Sequence, residues 1–132
     1  MPNTRPAHLL AAALLATCCC ASIAEPAPAP VRAEILALVE KIHTSGCQFE
    51  RNGKWHGATE AKAHLLRKLE YAENSRKRIA RTEQFIELAA SSSSLSGKPY
   101  RIKCGGDAPQ RSADWLNREL KVLRAAGVNG KA

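Results

Sequence analysis

Ser91-Ser92-Ser93-Ser94-Leu95-Ser96-Gly97-Lys98-Pro99-Tyr100-Arg101-Ile102-Lys103-Cys104 is the stretch that decides the fold. A serine-rich turn leads into a short basic strand, and the strand ends on a cysteine. Serine side chains compete for backbone hydrogen bonds, so the run ends any helix that precedes it. Pro99 stands where a strand begins, which suits an edge position. Upstream, Cys47-Gln48-Phe49-Glu50-Arg51-Asn52-Gly53-Lys54-Trp55-His56 reads as a hairpin, because Asn-Gly tolerates the positive φ of a type I′ turn. Phe49 and Trp55 supply its apolar side chains. A two-stranded hairpin alone is marginal in water, and 98–104 is the good candidate for a third strand.

The cysteines bear this out at the level of compartment. Arg5 is the only charged residue before Glu25, and 7–24 are apolar or small, centred on Leu9-Leu10-Ala11-Ala12-Ala13-Leu14-Leu15. This is the pattern of a secretory signal peptide, residues 1–24, cleaved after Ala24. Its apolar core is shorter than the roughly 20 residues that span a bilayer. Leu15-Ala16-Thr17-Cys18 also resembles a lipoprotein box, which would anchor the chain through Cys18, although Thr17 fits that box poorly. Removing the leader removes Cys18, Cys19 and Cys20 and leaves Cys47 and Cys104, an even pair that reads as one disulfide in an exported protein. The expected location is periplasmic or secreted.

The rest of the chain is organised as a Pro/Ala-rich linker at 25–32, one globular domain at 33–126 and a flexible tail at 127–132. Ile35, Leu38, Val39 and Ile42 mark one face of a first helix, ended by Ser45-Gly46. Thr59 is a candidate N-cap for a second helix through Ala61, Leu65, Leu66, Leu69 and Ala72. Asn74-Ser75 interrupts the pattern, and Thr82 offers a fresh N-cap before Phe85, Ile86 and Ala89; two helices and one bent helix both fit. Ser112 is read as the cap of a last helix that buries Trp115, Leu116, Leu120 and Leu123 and stops at Gly127. The expected class is α+β, with about four helices packed on a small antiparallel three-stranded sheet and one disulfide.

The 132-residue chain carries a net charge of +8, which falls to +7 when the leader takes Arg5 with it. A basic exported protein suits an acidic envelope protein or an anionic cell-wall or lipid component, and no nucleic-acid partner is expected. Arg76, Lys77, Arg78 and Arg81 form the densest basic run, which reads equally as a solvated face. No aromatic residue is interleaved with it, as a single-strand binder would require. His56, Glu60 and His64 are spaced by four, but match no zinc motif, and neither metal nor cofactor is expected. Ser96 with Lys98, or Ser96 with His56 or His64, would be the raw material of a small serine-dependent hydrolase. No complete catalytic set is visible, so the enzyme reading stays open and secondary. The residues expected to bind a partner are Trp55, His56, Glu60, Ser94, Ser96, Lys98 and Tyr100, on the Asn-Gly hairpin and the Ser-Gly-Lys-Pro-Tyr loop.

Two resemblances follow. Cys47-x-Phe49-x-Arg51-Asn52-Gly53-x-Trp55-His56, Glu60-Ala61-x-x-His64-Leu65, Thr82-Glu83-x-Phe85-Ile86 and Ala90-Ser91-x-Ser93-Ser94-x-Ser96-Gly97-Lys98-Pro99-Tyr100 occur in this order, with Cys104 and Trp115-Leu116 beyond them. This set resembles the YfeK-like family of small exported bacterial proteins, a domain of unknown function, from Val31 to about Arg124. Leu69 departs from the family, where an aromatic is expected. The resemblance implies export and a single small domain, and brings no catalytic residues. Separately, Ser96-Gly97-Lys98-Pro99-Tyr100 is similar to the Ser-Gly-x-x-Tyr loop of inhibitors of animal-type lysozyme. That similarity implies a loop inserting Ser96 and Lys98 into an acidic cleft, although those inhibitors are β-barrels and this chain reads as mostly helical. The function these readings support is a non-enzymatic binding module, with lysozyme inhibition and serine-dependent hydrolysis as alternatives.

Overall fold

The computed structural model describes residues 26–75 and 77–127. The expected leader, the Cys18 box and most of the tail lie outside these residues. Helix α1 runs Ala29–Thr44, strands β1 and β2 run Gln48–Arg51 and Lys54–His56, and helix α2 runs Ala58–Asn74. A short helix α3, Thr82–Phe85, continues as a π-helical turn over Ile86–Ala90. Strands β3, Arg101–Lys103, and β4, Gln110–Arg111, precede helix α4, Ser112–Ala125.

The class is α+β with four helices, as expected, but the sheet has four antiparallel strands rather than three, in the order β2-β1-β3-β4. The fourth strand is two residues long and emerges from a loop rich in Gly, Asp and Pro, too short to leave a periodic signal. It pairs Arg111 with Arg101 and Gln110 with Ile102. Strand β3 is therefore internal, paired with β1 on its other side through Phe49–Ile102. Pro99 precedes β3 and lies in an isolated bridge with Ser92, where its missing N–H costs the sheet nothing.

The helices cover one face of the sheet. Ile35, Leu38, Val39 and Ile42 of α1, Leu65 and Leu69 of α2, Phe85 and Ile86, and Leu116 and Leu120 of α4 are buried together with Phe49 and Ile102 from the sheet. Helix α1 starts at Ala29, inside the Pro/Ala tract, because Pro30 fits the first turn where its absent N–H is not needed; Ala27 is buried as well. The three expected caps lie one or two residues off. Gly57, Arg81 and Arg111 occupy the cap positions, Thr59 and Ser112 fall within first turns, and Thr82 spends its hydroxyl on Glu34. The Gln84 side chain instead accepts from the N–H groups of Ala80 and Arg81 at the entrance to α3. Of the two readings that the sequence left open here, separate helices are found, with α2 ending at Asn74 and α3 beginning at Thr82.

Two cross-links hold distant segments together. Cys47, just before β1, is bonded to Cys104, just after β3, 57 residues apart in sequence. Arg124 near the end of α4 donates to both oxygens of Glu34 on α1 (3.2 and 2.8 Å) and to Glu83 on α3 (2.5 Å). One guanidinium thus ties three helices through charge-assisted hydrogen bonds, and it holds both carboxyls below the usual range. Gly127, at φ 72°, closes α4 as expected.

Candidate functional site

The Asn-Gly turn and the serine loop meet. Asn52 and Gly53 both have positive φ, 51° and 81°, so the turn is of the expected kind. Asn52 then uses its side chain to reach across 44 residues of sequence. Its Oδ1 accepts from the Ser96 hydroxyl at 2.6 Å, and its amide donates to the Ser93 hydroxyl at 3.5 Å.

Ser93 is the buried member of the serine run, and it organises the loop. Its hydroxyl accepts from the N–H groups of Leu95 and Ser96, both at 3.3 Å. Its N–H donates to the Lys98 carbonyl, and its own carbonyl accepts from Gly97. Ser94, Leu95, Ser96 and Lys98 stand exposed above this base, and Leu95 is 96 % exposed, the extreme among the large apolar residues described. Replacing Ser93 by Ala removes one acceptor shared by three donors, and should cost about 1 kcal/mol. Hydrogen exchange at the Leu95 and Ser96 amides should then accelerate while that of α4 stays slow. Unchanged exchange at the tip would mean that Ser93 does not hold the loop.

A second feature lies on the helical side of the hairpin. Alternation along β1 puts Phe49 and Arg51 on one face, opposite His56 and Lys54 of β2. Between this face and α2 is a cleft of about 230 Å³, lined by Arg51, His56, Glu60, His64, Arg67 and Tyr100 among others. Arg51 Nη1 lies 2.5 Å from His64 Nδ1, and His64 Nε2 lies 3.1 Å from the Tyr100 hydroxyl. Arginine can only donate, so Nδ1 is the accepting nitrogen and Nε2 carries the proton of the neutral ring. Partial burial, followed by the charges of Arg51 and Lys68, lowers the pKa of His64 from its usual 6.5 to about 4. Lys68 Nζ reaches the Ser92 carbonyl (3.2 Å) and the Tyr100 hydroxyl (3.4 Å), and burial, then Arg51, lowers its pKa. Burial raises the pKa of Tyr100, with Arg51 opposing it.

The residues singled out in the sequence therefore occupy three places. Ser94, Ser96 and Lys98 share the loop tip. His56, Glu60 and Tyr100 line the cleft, where His56 Nδ1 and Glu60 Oε2 pair at 3.2 Å; Tyr100 is 7 % exposed and forms cleft wall rather than loop surface. Trp55 faces the other side of the sheet from Phe49, with Lys103 Nζ 5.3 Å from its ring centroid. The hairpin's two aromatics thus do not form one apolar face. Ser96 finds Asn52, not a histidine, as its hydroxyl partner. His64 is turned to Arg51 and Tyr100, and no cluster of three metal-ligating side chains occurs among the described residues. Arg51, Arg67 and Lys68 escaped sequence reasoning, and Asn52 was read as a turn residue without its reach to the serine loop. The alternation Phe49-x-Arg51 and the helical spacing His64–Lys68 were the signals that could have found Arg51 and Lys68.

Comparison with known proteins gives a family and no activity. Over 72 residues the chain is 46 % identical to the "Uncharacterized protein YfeK" of Salmonella typhimurium, covering 54 % of this chain and 55 % of that protein. The chain thus spans about half the length of the relative it matches. No solved structure matches. A family of unknown function, DUF5329, matches residues 29–124, from the first turn of α1 to the last turn of α4, and the chain belongs to that family.

Proposed function

We propose that this is an exported binding module, periplasmic or secreted, which presents the serine loop to a protein partner. The observation that carries the reading is the tip itself. Leu95 projects almost wholly into solvent from a loop whose base is fixed by Ser93 and Asn52. A large apolar side chain on a pre-ordered support loses little entropy when it enters a partner's pocket. Lys98 beside it is exposed and makes no ion pair among the described residues, so the tip also offers a positive charge to an acidic surface. That charge favours the second reading, an acidic cleft such as that of a lysozyme. Export is supported by the leader pattern and by the Cys47–Cys104 pair, since disulfides persist in oxidising compartments. Among the described residues no helix is long and apolar enough to cross a membrane.

A photo-crosslinking amino acid at position 95, irradiated in the living host, should give one discrete adduct. The same residue at Tyr71, which is exposed on α2, should not. An adduct with a lysozyme selects the inhibitor reading. The same products from both positions, or none from 95 in folded and exported protein, defeats the tip as a docking site.

A further inference from the structure

The cleft between the hairpin and α2 has an excess of hydrogen-bond donors. Arg51 uses Nη1 on His64, which leaves Nε and Nη2, the edge of a guanidinium that grips one carboxylate with two parallel bonds. It makes no salt bridge among the described residues, and neither does Arg67 one helical turn beyond His64. The Tyr100 oxygen accepts from His64 Nε2 and from Lys68 Nζ, so its lone pairs are engaged and its own hydrogen remains to be donated. Ser112, 2 % exposed, also lines the cleft and has no protein partner for its hydroxyl. The acidic residues at the cleft are committed elsewhere. Glu60 sits at the rim against His56, and Glu50 pairs with Arg101 at 3.4 Å.

Arg51 and Arg67 thus line one half-buried space, with Lys68 behind Tyr100, and the two carboxylates at its edge, Glu50 and Glu60, are paired with Arg101 and His56 rather than with these cations. Burial, and after it the repulsion of Arg51, Lys68 and Arg67, disfavours a further positive charge on His64. An anion entering the cleft would relieve that repulsion and satisfy the free donors. Apolar walls from Phe49, Ala61 and Leu65 would take a hydrocarbon body beside the charged head. A volume of about 230 Å³ is below the range typical of drug-sized ligands, so the occupant is a single small group.

We propose that this cleft binds a carboxylate carried on a small apolar body, with Arg51 gripping the carboxylate and Tyr100 and Ser112 donating to it. A free carboxylic acid and the C-terminal residue of a peptide share this chemistry. The site is separate from the loop tip and does not depend on what the tip binds.

The test uses N-acetyl-leucine, N-acetyl-leucinamide and inorganic phosphate as probes, with binding followed through the NMR resonances of the His64 and Tyr100 rings. N-acetyl-leucine should shift both rings saturably, and the uncharged amide should not. Arg51→Gln should weaken N-acetyl-leucine about tenfold, the loss of one charged hydrogen-bonding partner. Arg67→Gln, on the exposed side of α2, keeps the test decisive if the Arg51 variant unfolds, and should weaken binding measurably with the unfolding midpoint unchanged. Leu95→Asp should leave it intact. A pentapeptide with a free C-terminus that binds more tightly than N-acetyl-leucine identifies a peptide end as the source, and equal affinity identifies a small acid. Equal shifts from acid and amide, saturation by phosphate alone, or full affinity in the Arg67→Gln protein would overturn the proposal.

Discussion

Replacing Cys47 and Cys104 together by serine should lower the unfolding free energy by about 4 kcal/mol, from the chain entropy released when the loop between them is opened. The pair is 57 residues apart, and the loop it closes contains α2, α3 and the whole serine loop. The bond sits where Gln48 and Lys103 already pair β1 with β3, so it fixes a contact between strands that are not consecutive in the chain. Domains of this size have total stabilities of about 5–15 kcal/mol, so the loss is a large share of what is available. Thermal unfolding followed by circular dichroism should move down by roughly 15–30 °C, and reduction of the wild type should reproduce the effect. A double variant as stable as the wild type would show that the sheet and helices hold β1 against β3 without covalent help. It would also weaken the case for an oxidising compartment, because a chain that does not need its disulfide can fold anywhere.

The helices were readable because their apolar residues recur at helical spacing. Ile35, Leu38, Val39 and Ile42 are all buried, and so are Leu116, Leu120 and Leu123. The hairpin was readable because Asn52-Gly53 leaves few other turns. Cys47 and Cys104 were paired by elimination, on the expectation that a leader carries the other cysteines, and the pair is present. What escaped reading was whatever depends on meetings between distant residues. Strand β4 exists only because Gln110 and Arg111 fall beside β3. Ser93 looks identical to its neighbours in sequence, yet it alone of the run is buried under the loop, because Asn52 arrives from 41 residues away. Tyr100 was grouped with Ser96 and Lys98 by proximity in sequence, but the change from loop to strand turns it inward against His64 and Lys68. Arg124 gave no local hint that it would join Glu34 and Glu83, because salt bridges between helices have no sequence period.

Acid should destabilise the protein in two separable steps. In the folded chain His64 takes up a proton only near pH 4, whereas the unfolded ring does so near 6.5. Above 6.5 neither state is protonated, and this contribution is fully present. Between 6.5 and about 4 only the unfolded chain binds the proton, so stability falls with pH until both states are charged. Screening at a half-buried ring limits the loss to about 1–2 kcal/mol. Glu34 and Glu83 act lower on the scale. Their hydrogen bonds from Arg124 hold both pKa values below 4.5, so their contribution is intact above that pH and is lost as pH falls through the folded-state values. Urea unfolding measured from pH 8 to pH 3 should therefore decline first below 6.5 and again below 4.5. His64→Gln retains an acceptor for Arg51 and a donor for Tyr100 without a titrating ring, and should flatten the first decline alone. Glu34→Gln gives up the ion pair with Arg124 and should flatten the second while lowering stability at neutral pH. A wild-type curve level between pH 7 and 5 would mean that the His64 ring takes its proton as easily folded as unfolded. Neither burial nor the charge of Arg51 would then be opposing its protonation, and one support for the cleft's preference for a carboxylate would be gone.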